Sequence, residues 1–407
     1  MRRVVVTGMG GVTALGNDWS AIAARLRAGE TAIRYMPDWE AFTGVNTRLA
    51  APVPDFDIGD RFPRKKLRSM GRVAQMAVAA SESALMDANL WEDPILTSGR
   101  TGVAYGSSFG SPDAVLGFYE LKKQGVSRHL TATNYIRMMG HTTCVNLSVL
   151  LGITGRTIPT SCACASGSMA IGDSFEAIQA NRADVMIAGG AEELDITGAA
   201  TFDTLFATST RNDQPDQTPR PFDNDRDGLV VGEGAVTLIL EEYEHAKVRG
   251  ATMYAEVIGF GSTSDGSHIT QPRGETMLRA MELALESAAT TPADIGFICG
   301  HGTATDGGDV VESQATHSLF GSTVPFHSLK GHFGHTLGAC GALEAWLAIE
   351  MMREGWMCPT ANLVNVDPRC ADLDYVMGEG RAAPFDLFMS NNFAFGGINT
   401  SLVFKGV

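Results

Sequence analysis

The chain alternates short, nearly unbroken apolar runs with longer stretches whose apolar residues recur at helical spacing. Val4-Val5-Val6 opens the first run, which passes into Gly8-Met9-Gly10-Gly11 and predicts a strand over 4–13. Further strands are predicted over 102–105, 185–188, 236–240, 255–260, 295–299 and 324–329, with a strand pair over 388–404. Helices are predicted over 17–29, 72–89, 274–289 and 337–353, and helices with loops fill 110–155. Residues 37–62 carry no regular pattern.

One stretch organises the rest. An apolar run ends at Ile158-Pro159 and collapses to small residues through Thr160, Ser161, Cys162, Ala163, Cys164, Ala165, Ser166 and Gly167. Ile171, Phe175 and Ile178 then recur at helical spacing, and Val185–Ala188 follows. The order is strand, tight turn, helix, strand, with Cys164 where the turn becomes the helix. Unpaired N–H groups and the positive end of a helix dipole lower a thiol pKa at such a place. The alternative for Cys164 is a packing cysteine in a buried turn.

The second half repeats this order. Strand 255–260 runs into Gly261, helix 274–289 follows, and strand 295–299 ends in Gly300-His301-Gly302-Thr303 as strand 102–105 ends in Gly106-Ser107-Ser108. Strand 324–329, a Gly-rich turn and helix 337–353 match the unit around Cys164, and 388–404 matches the strand pair near 229–240. Two βαβ-rich halves, 1–250 and 251–407, are therefore expected within one large α/β body, since no Pro/Ser linker separates them.

Composition narrows the function classes. The 407 residues are 44% hydrophobic with 46 Gly and a net charge of −15, which argues against nucleic-acid binding. Seven scattered Cys and the lack of a charged-then-apolar leader fit a reduced, cytoplasmic protein. No apolar run reaches the roughly 18 residues that span a bilayer. The Gly8-Met9-Gly10 turn invites a dinucleotide reading, but the fingerprint would need glycine at Thr13. Arg64-Lys65-Lys66-Leu67-Arg68 is the densest basic cluster in this acidic chain.

Three polar constellations fall at predicted strand ends: Cys164; His301-Gly302-Thr303-Ala304-Thr305-Asp306; and Lys330-Gly331-His332-Phe333-Gly334-His335. Ligands of α/β sheets bind at the carboxyl ends of strands. A thiol with two imidazoles there suits thioester chemistry, the sulfur attacking an acyl carbon and the imidazoles serving the developing oxyanion. Two metal readings compete. His327, His332 and His335 lie close in sequence, but a Gly-rich turn fixes ligands poorly and no carboxylate or Cys pair completes the set. Cys162 and Cys164 lack the second half of a structural zinc site.

Together, Pro159–Gly167, Arg220-Pro221-Phe222-Asp223 with Arg226-Asp227-Gly228 and Gly232-Glu233-Gly234, His301-Gly302-Thr303 with Asp309 and Glu312, Leu329–Ala339, and Ser390–Asn399 resemble the motifs of the β-ketoacyl–acyl-carrier-protein synthases, over essentially the whole chain. The resemblance implies the thiolase fold, two similar halves in five α-β-α-β-α layers, with no metal or cofactor and substrates carried on phosphopantetheine. It implies Cys164 as the nucleophile that holds an acyl chain, and His301 and His335 as the pair acting on a malonyl thioester. Lys330 would order the site with Glu312 as its partner, and the N–H groups of Cys164 and Phe395 would form an oxyanion hole. Thr303 and Thr305 would bond the phosphopantetheine arm. Phe109, Phe202 and Phe206 would shape an acyl pocket, their flat faces favouring aryl or conjugated chains. Arg64, Lys65 and Arg68 would receive an acidic acyl carrier protein, the implied partner beside a second copy or a related subunit.

The family's usual motifs are altered at Ala304, Asp306, Ala394 and Ile398, which points to a specialised polyketide or polyene pathway rather than housekeeping fatty acid elongation. A silent chain-length-factor subunit typically lacks the active-site Cys, and a thiolase uses a second Cys in place of one His region; this chain has Cys164 and both His motifs.

Overall fold

The computed structural model describes residues 1–407 and is organised around one eleven-stranded sheet. Its strands are β1 (Val4–Thr13), β2 (Thr101–Gly106), β3 (Thr157–Pro159), β4 (Val185–Glu192), β5 (Gly234–Glu242), β6 (Ala255–Ser264), β7 (Phe297–Cys299), β8 (Pro325–His327), β9 (Asp374–Tyr375), β10 (Leu387–Ala394) and β11 (Ile398–Lys405). Their spatial order is β9-β8-β7-β10-β11-β6-β1-β5-β4-β2-β3. The seam is β1 against β6, where Val4–Val6 pair antiparallel with Ala255–Val257.

Outward from the seam both arms repeat one scheme. β1–β5 and β5–β4 are antiparallel, then β4–β2 and β2–β3 are parallel. On the other side β6–β11 and β11–β10 are antiparallel, then β10–β7 and β7–β8 are parallel. The repeat expected from element order is thus a repeat of topology. One correspondence needs correcting. The hairpin β10–β11 matches β4 and β5 by position, whereas the expected match was to 229–240 alone. A tight turn joins β10 to β11, while the long segment 193–233 separates β4 from β5 and hides the pairing in sequence.

Helices fill three layers. α1 (Arg72–Asp87) and α2 (Thr142–Leu151) cover the first arm, with their apolar faces in a core shared with β2, β4 and β5. α4 (Gly274–Ala288) and α5 (Asp306–Phe320) cover the second arm. α3 (Ser166–Gln179) and α6 (Cys340–Glu354) lie between the arms, in the core that contains strands of both. α6 is buried on every side from Cys340 to Met352, as a central helix must be. The Gly-rich end of β1 serves packing rather than phosphate binding. A Cβ at Gly10 would lie 2.6 Å from Ala80 O of α1, and one at Gly11 would meet the Trp346 ring at 2.2 Å. No helix is long and apolar enough to cross a membrane.

Candidate active site

Two elbows bring the candidate residues together. After β3, Thr160 Oγ1 donates to Ser166 O at 2.9 Å, and Ser166 Oγ accepts from Cys162 N–H at 2.9 Å while donating to Ala163 O at 2.7 Å. These bonds lock a turn in which Ala163 has φ 49°, followed by one 3₁₀ turn, Ala163–Ala165, and then α3. After β8 come a short helix, Lys330–Phe333, and a 3₁₀ turn, Leu337–Ala339, leading into α6. α3 and α6 touch at two glycines. A Cβ on Gly167 would lie 2.8 Å from Ala342 N, and one on Gly341 2.7 Å from Ser168 N. That approach places the starts of the two helices side by side, with Cys164 Sγ 3.0 Å from His335 Nε2. His301, just past β7, faces His335 edge-on at 5.2 Å between ring centres. One ligating atom from each of Cys164, His301 and His335 lies within 4.8 Å of the other two.

The hydrogen bonds fix where the protons are. His335 Nδ1 accepts from Leu337 N–H at 3.2 Å, so its proton is on Nε2, facing the sulfur. His301 Nδ1 lies 3.2 Å from Lys330 Nζ, an ammonium with donors only, so its proton is also on Nε2. Burial holds both imidazoles well below their usual pKa, and the Lys330 charge adds to this, so both are neutral. Lys330 Nζ also donates to His301 O at 2.6 Å and to Glu344 Oε1 at 2.5 Å. Burial is the largest single influence and works against its charge, but Glu344 together with the neighbouring Cys340 and Cys299 raises its pKa in sum, and the ammonium persists. Asn392 Nδ2 completes the set, donating to Glu344 Oε2 at 2.6 Å.

The thiol departs from expectation. Burial pushes Cys164 up to about 12, against the Lys330 charge and the neighbouring backbone N–H groups of Phe395 and Cys164. The elbow supplies the expected donors, but the enclosed site outweighs them.

Glu312 is not the partner of Lys330. Its carboxylate accepts from the backbone N–H groups of His301 at 2.5 Å and Gly302 at 2.7 Å, strapping that loop to α5. Sequence reasoning missed Glu344, although a lone acidic residue inside the apolar stretch Gly341–Ile349 signals a buried carboxylate in need of a cation. It also missed what segment 220–234 does. Arg226 donates to Thr305 O at 3.2 Å and Asp306 O at 2.7 Å, which holds the His301 loop. His335 N–H donates to Val230 O at 2.7 Å, and His335 O accepts from Gly232 N–H at 2.9 Å.

A cavity of about 480 Å³ opens onto Cys164, His301 and His335. Thr303 and Thr305 line it, their hydroxyls 2.9 Å apart. Phe395 lines it too, its ring 5.1 Å from that of Phe202. Phe206 lies at the mouth rather than on an inner wall and is 88% exposed, because its φ of 54° turns the chain outward after helix Ile196–Asp203. Phe109 is 51% exposed on the loop after β2 and does not line the cavity. Arg64, Lys65 and Arg68 are exposed around the short helix Arg64–Leu67, outside the cavity.

The metal readings do not assemble. His327 Nδ1 meets Cys358 O at 2.7 Å, while the His332 nitrogens meet Glu30 O at 2.8 Å and Pro359 O at 3.1 Å, so these rings do not converge with His335. Cys162 joins no cluster of three metal-ligating side chains, and Cys164 stands with His301 and His335 instead.

Comparison with known proteins agrees with this geometry. Residues 1–246 match the family model "Beta-ketoacyl synthase, N-terminal domain", and residues 254–364 match "Beta-ketoacyl synthase, C-terminal domain". The 3-oxoacyl-[acyl-carrier-protein] synthase 2 of Vibrio harveyi is 37% identical, covering 100% of this chain and 99% of the relative. The crystal structure of a β-ketoacyl synthase from Burkholderia phymatum is 58% identical with a TM-score of 0.99, over 100% of both chains. The ishigamide ketosynthase/chain length factor is 30% identical with a TM-score of 0.90, over 100% of this chain and 99% of the other. The chain therefore belongs to the β-ketoacyl synthase family and is an acyl-transferring condensing enzyme of carrier-protein-dependent fatty acid or polyketide synthesis.

Proposed function

We propose that Cys164 takes an acyl chain from acyl carrier protein and that His301 and His335 act on malonyl-acyl carrier protein, giving a β-ketoacyl-acyl carrier protein. The observation that carries this is the pair of neutral imidazoles, each with its proton on Nε2, beside a buried thiol.

In the first step the Cys164 sulfur bonds to the acyl carbon, the bond from that carbon to the carrier sulfur breaks, and the thiol proton ends on the departing sulfur. The N–H groups of Cys164 and Phe395 meet the oxyanion. Once acylated, the sulfur is a poor acceptor, which frees His335 Nε2–H for the malonyl thioester oxygen. The malonyl carboxylate leaves as CO₂, and its bonding pair becomes an enolate whose oxygen accepts from His301 and His335. The enolate carbon then attacks the acyl carbon, the bond to Cys164 breaks, and the thiolate takes a proton from solvent. Lys330, charge-paired with Glu344, holds His301 in the donating tautomer.

The pathway we assign is a specialised type II polyketide or polyene system in the cytoplasm. Support comes from the altered positions Ala304, Asp306, Ala394 and Ile398, from the rings of Phe202, Phe393 and Phe395 around the cavity, and from the likeness to the ishigamide ketosynthase/chain length factor. The exposed apolar side chains of Leu116, Tyr119, Leu121 and Tyr135 support a dimer with a second copy or a related subunit. Housekeeping fatty acid elongation is the second reading, favoured by the 37% identity to the Vibrio harveyi enzyme. A competition between polyenoyl- and saturated acyl-carrier proteins of equal length separates the two. The conjugated chain is expected to win, and preference for the long saturated chain returns the enzyme to fatty acid elongation.

A further inference from the structure

The mouth of the cavity carries an exposed apolar patch in an otherwise strongly acidic chain, beside the exposed polar side chains of His268, Gln271 and Asp306. Three of the large hydrophobic side chains that the fold leaves in solvent line it: Leu205 (46% exposed), Phe206 (88%) and Ile269 (74%). Grouped exposed apolar residues mark interaction sites, whereas scattered single ones do not. The rim carboxylates add no free charge, since Asp227 lies 3.5 Å from Arg211 and Asp306 lies 2.5 Å from Arg369.

The backbone supplies an independent observation. Phe206 has φ 54°, a left-handed conformation that a bulky side chain rarely adopts. It is held there by Phe206 N–H donating to Asp203 O at 3.0 Å and Ala207 N–H donating to Phe202 O at 3.1 Å. Asp203 is anchored in turn, its carboxylate accepting from Asn46 N–H at 2.9 Å and Thr208 Oγ1 at 2.9 Å. The fold thus strains the chain to hold a ring in water, where it gains nothing from packing within the chain. Strain of this kind gathers at binding sites.

The position of the patch selects its occupant. A thioester on a pantetheine arm reaches Cys164 through this mouth, so the protein bearing the arm lies on the rim. A second copy of the chain seated here would close the entry instead. Ile269 also connects the rim to the site, because its carbonyl accepts from Gly396 N–H at 2.8 Å, next to Phe395.

We propose that Phe206, flanked by Leu205 and Ile269, is the apolar anchor on which the acyl carrier protein seats the face around its arm-bearing serine. This rests on the reading of the chain as a carrier-fed condensing enzyme. Attraction at a distance falls to the basic cluster Arg64, Lys65 and Arg68, and retention at contact falls to Phe206.

The test is the ratio of KM for acyl-carrier protein to KM for the same acyl group on N-acetylcysteamine, which has no protein body to dock. Phe206→Asp and Phe206→Ala should each raise this ratio at least tenfold, Phe206→Met less than threefold, and the increase should be the same at low and high salt. Thermal melting of each variant confirms that it is folded. An unchanged ratio in Phe206→Asp overturns the anchor, as does an equal rise in both KM values, which would make Phe206 part of the arm's channel. A wild-type enzyme that turns over neither thioester overturns the condensing reading instead.

Discussion

The elbow after β3 and the elbow after β8 occupy matching places in the two arms and share an unusual backbone. Each enters its helix through a three-residue 3₁₀ turn whose first residue has a left-handed φ, Ala163 at 49° and Leu337 at 45°. The next residue is Cys164 in the first arm and Gly338 in the second. A Cβ at Gly338 would lie 2.8 Å from Glu192 Oε2 and 2.9 Å from Ser108 N. The second elbow thus has its side-chain space filled, and its Gly338 N–H donates to Glu192 Oε2 at 2.9 Å. Its longer approach, 328–336, instead carries Lys330 and His335, and β7 runs into His301 where β2 runs into Gly106-Ser107. A duplicated scaffold provides two sets of strand ends, and the chemistry comes from their inequality. In the proposed reaction one arm gives the nucleophile and the other the proton donors, and the close approach of the helices at Gly167 and Gly341 brings them together.

Breaking that inequality at its centre should have the largest effect. Cys164→Ala leaves both elbows without a nucleophile and should lower condensation by about 10⁶, as in hydrolases stripped of theirs. Adding Gly338→Cys should restore nothing, because its sulfur would be driven against Glu192 and Ser108. Intact-mass measurement after incubation with acyl-carrier protein should show an acyl adduct on the wild type and on Cys162→Ala, and none on Cys164→Ala. An elongating Cys164→Ala enzyme would place the nucleophile elsewhere.

The donors from the second arm come next. His301→Ala or His335→Ala should each slow malonyl decarboxylation by roughly 10²–10³ and leave the acyl adduct on Cys164. Both pKa values are depressed, chiefly by burial, so decarboxylation should be flat between pH 6 and 8. The same shifts have a stability sign. A histidine depressed on folding contributes stability that is present above its unfolded value near 6.5 and lost as pH falls below it. Each alanine variant should therefore have a shallower acid limb in a melting-temperature profile below pH 6.5. A wild-type decarboxylation rate that falls as pH drops from 8 to 6 would place a titration there, in an imidazole or in the loop-holding carboxyls of Glu192 and Glu312, which burial raises to about 7 and about 8.

The same comparison shows what the sequence could carry. Cys164, His301, Lys330 and His335 were legible because small or glycine-rich turns after apolar strands have few uses for a thiol, a lysine or an imidazole. Strand order disclosed the repeat, since each run of apolar residues is local information. Whatever depends on the space around a side chain stayed hidden. The elbow implied an acidic thiol, but only the closed fold shows burial outweighing its donors. Glu312 stood near His301 in the pattern, yet the direction of α5 points it at backbone N–H groups and leaves Lys330 to Glu344. Phe206 looked like a pocket wall until a single left-handed φ turned it into solvent. The equivalence of Ala163 and Leu337 was invisible because it lies in dihedral angles rather than in residue type.

The smallest effects should come from the contact that joins the arms, where the two sides are expected to behave alike. At both Gly167 and Gly341 an added Cβ meets the backbone nitrogen of the opposite helix, at 2.8 and 2.7 Å, and backbone cannot swing aside as a side chain can. Gly167→Ala and Gly341→Ala should each cost about 1–3 kcal/mol, the usual range for overpacking, read from urea unfolding. One outward shift of α3 from α6 would relieve both, so the double variant should cost less than the sum of the singles. Gly198 is the control, a helical glycine whose added Cβ would meet nothing within 4 Å. Gly198→Ala should be neutral or stabilise by roughly 0.4–1 kcal/mol. Equal stabilities for all three single variants would show that the glycine contact does not hold the arms together, and the 3.0 Å approach of Cys164 to His335 would then need another cause.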